Sequence, residues 1–221
     1  MSATFSPRDE LAHAGRAEEW TFSFWTADLS LAGHTGWRLD PAARTGFYWS
    51  VVTRAGQPNL HVTAGQVPLR SDPLLVKDEA LWAEMICDSP FEQWTVGNET
   101  YAVALDDPDE ALGLAYGTPT AIACDLEWHA AAAPTVLSGD LESGYSQAGE
   151  VDGAIELVAG ALHLTSALAH RTHRWAAAPG APLSASPPPQ AFAHTGTRAP
   201  VRLPDGTVLD LVLTPEGWRS R

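Results

Sequence analysis

This sequence predicts an all-β fold, an antiparallel barrel or sandwich, and three observations carry the prediction. About ten segments alternate apolar and polar residues with period two, the mark of half-buried strands. Gly- and Pro-containing turns separate many of them at hairpin distances. The regular strand–helix alternation that builds parallel sheets is missing.

Taken in order, Ser6 as cap and Pro7 at the first helical position open a short helix that stops by Gly15. Trp20 to Leu29 sets Trp20, Phe22 and Phe24 against Thr21, Ser23 and Trp25. Phe47 to Arg54 and Leu60 to Val67 read as a hairpin turning at Ala55-Gly56-Gln57-Pro58. Strands continue over Ala80 to Asp88, Gln93 to Leu105 and Ala121 to His129. One helix interrupts them: Asp107 caps it, Pro108 starts it, Asp109 and Glu110 suit its positive end, and Gly117 ends it. Gly144 to Trp175 reads as two strands joined by a turn around Ala159-Gly160, and a last hairpin turns at Pro204-Asp205-Gly206. Between them, Ala176 to Gln190 is a Pro- and Ala-rich loop.

A chain of 221 residues buries roughly 70–75% of its extended surface on folding and needs no staple. The two cysteines, Cys87 and Cys124, are too few for a disulfide framework and point to a reducing compartment, with a single bridge between them as the alternative. The start of the chain is polar and no segment approaches a membrane span, so the reading is a soluble, cytoplasmic protein. A formal charge of −14 repels phosphate backbones, which argues against nucleic acid as a partner. Lys77 is the single lysine, and neither a GxxxxGK[ST] loop nor a GxGxxG turn is present, so nucleotide chemistry has no signature.

The second strand of the Gly144 to Trp175 pair ends in His170, Arg171, Thr172, His173, Arg174 and Trp175. Alternation puts Arg171, His173 and Trp175 on one face and His170, Thr172 and Arg174 on the other. A guanidinium that orients an acid or anion, an imidazole that moves protons and an indole that stabilises a cation make a catalytic combination. The plain alternative is a strand end solvated by water. His170 and His173 also spell HxxH, but on a strand they face opposite ways, so no metal is expected. On the preceding strand the inward set is Tyr145, Gln147, Gly149, Val151, Gly153, Ile155 and Leu157. Its polar members, Tyr145 and Gln147, either hydrogen-bond a ligand or satisfy each other. Ser146 in GYSQA lacks the strand–turn–helix context of a nucleophile elbow and is set aside.

Glu84 shares a strand face with Trp82 and Ile86, so an inward face there makes it a buried acid with a raised pKa. Asp125, Glu127 and His129 share the face opposite Ile122, Cys124, Leu126 and Trp128, and read as solvent-facing. Nine tryptophans, nearly one per strand, fill a core or line a cavity at a barrel mouth.

Several pieces in this order resemble a known group. They are Glu19-Trp20-Thr21-Phe22, Gly144-Tyr145 with Gly149-Glu150-Val151-Asp152-Gly153, and Arg171-Thr172-His173-Arg174-Trp175. With them the chain resembles the lipocalin-like family that includes carotenoid hydratases (hydroxyneurosporene synthases) and the lipocalin-type Diels–Alderases. Leu81-Trp82-Ala83, Pro90-Phe91-Glu92-Gln93-Trp94 and Asp125-Leu126-Glu127-Trp128 are similar to pieces of uncharacterised bacterial relatives of that group. The resemblance implies a lipocalin-like β-barrel, or two packed β-halves, with one or two short helices. It also implies that His173 and Trp175 take the place of the His-x-Trp pair implicated in acid-catalysed hydration of an isoprenoid double bond. The family site further uses a Tyr-x-Asp downstream of that pair, and this chain has no tyrosine after Tyr145.

The expectation is a Trp-lined barrel built from residues 1–135 and 136–221, with the Pro-rich loop at 176–190. It binds an apolar isoprenoid- or polyketide-like molecule, without cofactor or metal. His173, Arg171 and Glu84 are the catalytic candidates for hydration, isomerisation or cyclisation. Trp175, Tyr145, Gln147, Trp82 and Trp20 are the ligand wall. A non-catalytic carrier or sensor of lipid-like ligands is the alternative.

Overall fold

The computed structural model describes residues 5–113, 115, 117–138, 142–183 and 197–220. Fourteen strands and two 3-10 turns, Pro7–Glu10 and Pro108–Leu112, make up the regular structure described. The first eleven strands are β1 (Glu18–Trp25), β2 (Leu31–Asp40), β3 (Thr45–Arg54), β4 (Asn59–Pro68), β5 (Leu75–Asp78), β6 (Leu81–Ser89), β7 (Gln93–Leu105), β8 (Thr118–Ala130), β9 (Thr135–Ser138), β10 (Glu142–Leu157) and β11 (Gly160–Ala176). They form one antiparallel sheet in the order β4-β3-β2-β1-β11-β10-β8-β7-β6-β5, with β9 against β10. Pairing of β4 with β7, Asn59↔Leu105 to His61↔Val103, closes a ring of hydrogen bonds through eight of these strands. The all-β, barrel-like fold is therefore the one the sequence predicts.

The three remaining strands, β12 (Arg198–Arg202), β13 (Val208–Thr214) and β14 (Gly217–Ser220), form a small separate sheet. It packs on the outside of β3, where Phe47, Trp49 and Val51 meet Ala199, Val201, Leu203, Leu209 and Leu211. The opposite face of β3 sends Tyr48 and Val52 into the barrel. A strand covered on both sides carries no polar face, which is why FYWSVV is a nearly unbroken apolar run.

The extents of the two helices are corrected here. Both helices shrink to single 3-10 turns: Pro7–Glu10 does not reach Gly15, and Pro108–Leu112 ends before Gly117. The Asp107 cap works as read, its side chain accepting from the Asp109 N–H, whereas at Ser6 it is the backbone N–H that donates to Asp9 Oδ2 and the hydroxyl caps nothing. Neither segment carries the recurrent apolar stripe that would hold a longer helix on the barrel. Residues before and after 135 contribute strands to the same ring. β8 and β10 pair from Gly149↔Ala130 to Leu157↔Ile122, and β1 pairs β11, so segments from both sides interleave in one ring. Within the Pro-rich loop, residues 184–190 lie outside the described residues.

Trp20, Phe22, Phe24, Trp37, Tyr48, Trp94 and Trp128 lie in one buried cluster that fills the bore. The void among Phe22, Phe24, Val96, Leu126, Trp128 and Val151 is about 20 Å³, room for about one water. Among the described residues no helix is long and apolar enough to cross a membrane.

Candidate functional site

The ends of β1, β10 and β11 meet at one mouth of the barrel, and their register brings the sequence candidates together. β1 and β11 align Trp20 with His173 and Phe22 with Arg171. On the other side of β11, Tyr145 lies opposite His173 and Gln147 opposite Arg171. Period two thus delivers Arg171, His173, Trp175, Tyr145, Gln147 and Trp20 to one inward face, all buried. His170, Thr172 and Arg174 face outward. There Arg174 and Arg38 both grip the buried Glu19, at 2.5 and 2.6 Å, and Thr172 bonds Thr21.

Glu84 and Trp82 do not join this site. The buried face of β6 is Leu81, Ala83 and Met85, so Glu84, Trp82 and Ile86 lie on the outer face, with Trp82 37% exposed. Both faces of β6 are apolar enough to be the inner one, and the smaller side chains take the crowded side. Asp125 and Glu127 are exposed, as read. Ser146 sits within β10, without the turn a nucleophile elbow needs.

Arg171 is held on every side. Its fork donates from Nη2 and Nη1 to the two oxygens of Glu10 at 2.6 and 2.8 Å, a bidentate pair of two buried groups. Nη2 and Nε also donate to Gln147 Oε1 at 2.6 and 3.1 Å, and Nη1 donates to the Tyr145 hydroxyl at 3.1 Å. Tyr145 in turn donates to Glu10 at 2.7 Å, and Gln147 Nε2 donates to the carbonyls of Phe91 and Ala132. The guanidinium carbon lies 4.8 Å from the Trp128 ring, 5.0 Å from Tyr145 and 5.5 Å from Trp94, a cation–π box. Burial pulls the guanidinium pKa down, but Glu10 and Tyr145 offset it and leave the group above its ordinary value.

His173 is engaged at both nitrogens. Nδ1 faces the Asp9 carbonyl at 2.9 Å, and Nε2 faces Glu18 Oε2 at 2.8 Å. Trp20 stacks on the imidazole at 4.2 Å between centroids, and Trp175 tilts against it at 4.9 Å. Burial lowers the His173 pKa, with Glu18 opposing. Burial would raise Glu18, yet hydrogen bonds from His13 and His173 hold it below the usual carboxylate value.

The sequence reading missed Glu10, His13, Glu18, Trp94 and Trp128 as parts of this site. Glu18 left a signal, because it shares the inward face of β1 with Trp20, Phe22 and Phe24. Glu10 left none locally, being one acid in a polar leader. It and Asp9 belong to the segment Phe5–His13, which crosses the mouth and packs Phe5 on Tyr145 and Phe91. Beside that segment a hollow of about 370 Å³ opens on the rim, lined in part by Gly15, Leu39, Phe47 and Leu183.

Gly149 lets Trp128 lie flat beneath this box: a β-carbon there would meet the Trp128 ring at 2.4 Å and the His129 carbonyl at 2.5 Å. Gly149→Ala is expected to cost about 1–3 kcal/mol, as overpacking does, read as a fall in the urea midpoint. An unchanged midpoint would mean that Trp128 is free to move. No protein-family model, curated protein or solved structure matches this chain.

Proposed function

We propose that this protein binds an apolar isoprenoid- or polyketide-like molecule at the Arg171–His173 end of the barrel and assists its hydration, isomerisation or cyclisation. The carrying observation is a buried guanidinium and a buried imidazole side by side on one strand, walled by Trp20, Trp94, Trp128, Tyr145 and Trp175. The indole N–H groups of Trp20, Trp94 and Trp128 find no acceptor among the described residues. Trp25, Trp49 and Trp218 share this state on the side of the outer sheet, and the three beside Arg171 and His173 suit a ligand that brings an acceptor.

Access requires the segment Phe5–His13 to withdraw, because Glu10 holds the Arg171 fork and the Asp9 carbonyl holds His173 Nδ1. Once these leave, Arg171 and His173 present their N–H groups to an oxygen or double bond of the ligand. The faces of Trp20 and Trp175 stabilise the positive charge that develops, and the closed barrel keeps out water other than a reactant. Glu84 and Trp82 have no part in it. The resemblance to the lipocalin-like hydratases points the same way.

Native mass spectrometry of protein taken from its own host, followed by extraction of bound small molecules, tests the binding. A retained apolar molecule is expected. His173→Ala should then keep that molecule bound while turnover is lost, and undiminished turnover would sink the catalytic role. A carrier or sensor predicts instead that His173 is dispensable. The filled bore favours one further reading, a barrel packed by its own aromatics that acts through its surface. On that reading a conjugated polyene produces no saturable quenching of tryptophan fluorescence.

A further inference from the structure

Three atoms able to donate an electron pair converge at the barrel mouth. They are His13 Nδ1, Glu18 Oε2 and His173 Nε2, all within 4.8 Å of one another. Each comes from a different segment: His13 from the strap across the mouth, Glu18 from the first position of β1, His173 from β11. The register Glu18↔Trp175 and Trp20↔His173 fixes the last two relative to each other.

The outer nitrogens of both rings meet one residue, Asp9. Its carbonyl lies 2.9 Å from His173 Nδ1, and its carboxylate 3.5 Å from His13 Nε2. A carbonyl oxygen only accepts, so His173 Nδ1 donates its hydrogen to Asp9 and Nε2 is the nitrogen directed at Glu18; an arriving ion would displace the hydrogen held between Nε2 and the carboxylate. His13 is turned the same way. Rings oriented by a carbonyl or carboxylate behind them, with their other nitrogens directed at a shared carboxylate, are the arrangement found around protein-bound metal ions.

We infer that His13, Glu18 and His173 form a binding site for one divalent transition-metal ion of the zinc class. Two imidazoles and one carboxylate suit such an ion and leave a fourth position open. Ligand atoms 2.0–2.1 Å from a tetrahedral ion stand about 3.3 Å apart. The His13–Glu18 contact of 3.2 Å already fits that spacing, and the His173–Glu18 contact of 2.8 Å opens by about 0.5 Å to meet it. The rings are braced for the purpose, with Trp20 stacked on His173 at 4.2 Å and Trp175 on His13 at 4.4 Å. Glu18 and His173 are fully buried, whereas the His13 side chain is 22% exposed and marks the side from which an ion and a water arrive. The ion would tie the strap to the barrel by bonds to residues of both, so holding it stabilises the closed mouth. The HxxH pattern is not the source of this site, since His170 faces outward; the partner of His173 is a histidine 160 positions away in sequence. The inference does not depend on the apolar-ligand reading, and metal uptake is measured without any organic ligand.

The test uses the full chain without a polyhistidine tag, stripped with chelator and titrated with Co²⁺ and Zn²⁺. One equivalent of Co²⁺ is expected, with the intense visible absorption of a tetrahedral site, and Zn²⁺ should displace it and raise Tm. His13→Ala, whose side chain sits on the strap, should weaken Zn²⁺ binding by about 100-fold or more, at least what loss of an outer partner costs. Glu18→Gln should do the same, while His129→Ala, at an exposed His129–Glu127 pair, should change nothing. No Co²⁺ uptake by the wild type overturns the assignment. Uptake that survives His13→Ala, or that His129→Ala removes, shows an adventitious ion only and overturns it too.

Discussion

Replacing Glu10 by alanine is expected to destabilise the fold by about 3–5 kcal/mol, the cost of leaving a buried charge without its partner. Arg171 is 1% exposed, so no water can take the place of the carboxylate that holds its fork at 2.6 and 2.8 Å. The same substitution takes an acceptor from the Tyr145 hydroxyl and from the Phe91 N–H, each 2.7 Å away. A loss of this size is a large part of the roughly 5–15 kcal/mol that holds a domain together. Glu10→Ala combined with Arg171→Met should recover most of it, because an apolar chain of similar length fills the Trp94–Trp128 slot without a charge to satisfy. Urea midpoints of the two single variants and the double variant measure this. If Glu10→Ala shifts the midpoint by less than about 1 kcal/mol, the strap is not the counterion of Arg171 and the closed mouth is wrongly described. The double variant also separates stability from function: it keeps the fold and removes the guanidinium the proposed chemistry uses.

What the sequence made legible at this mouth is everything that period two controls. Arg171, His173 and Trp175 fall on one face because strands alternate, and Tyr145 and Gln147 join them because β10 pairs β11 in that register. Period two does not say which face is inside when both are apolar. On β6, Leu81, Ala83 and Met85 compete with Trp82, Glu84 and Ile86, and the bulkier set lies outside. Nor does local pattern reveal a partner supplied from far along the chain. The acid that answers Arg171 is Glu10, 161 positions away, and no spacing near either residue announces it. A charge argument could have: an arginine placed on an inward face demands a buried anion, and Glu18 was in phase with Trp20 from the start. The outer sheet was equally hidden, because PVRLPDGTVLDLVL announces a hairpin but not the surface it covers. Only the unbroken apolar run of β3 hinted that the barrel wall had a second neighbour.

That outer sheet governs the second large effect, a loss of stability in acid. His61 donates toward the Pro200 carbonyl at 3.2 Å, and His34 bonds the Ser23 hydroxyl at 2.8 Å beneath Trp49 and Trp218. Both rings are buried between the barrel wall and the three-stranded sheet, and burial lowers each pKa to about 4. Glu19 raises His34 and His170 lowers it, while Arg219 of β14 lowers His170, itself depressed by burial. An unfolded histidine titrates near 6.5. Between about pH 6.5 and about pH 4 the unfolded chain therefore binds protons that the folded chain refuses, and stability falls as pH falls through that window. A difference of about 2.5 units is worth roughly 3 kcal/mol per histidine once the window is crossed. His13 acts with the opposite sign: hydrogen bonding to Glu18 raises its pKa, so its contribution is present in acid and lost as pH rises. It does not cancel two buried rings. Because His34 and His61 both sit under the outer sheet, that sheet should detach first, and hydrogen exchange in β12–β14 should quicken before exchange in β1–β11. Thermal unfolding followed from about pH 7 to about pH 4.5 should show Tm dropping steeply in the wild type and much less in a His34→Asn, His61→Gln double variant. Equal slopes in the two proteins would assign the acid sensitivity to the other histidines that burial depresses, His173 and His170, since Glu19, despite its burial held below the ordinary value by Arg174 and Arg38, keeps its contribution throughout this window and loses it only in stronger acid.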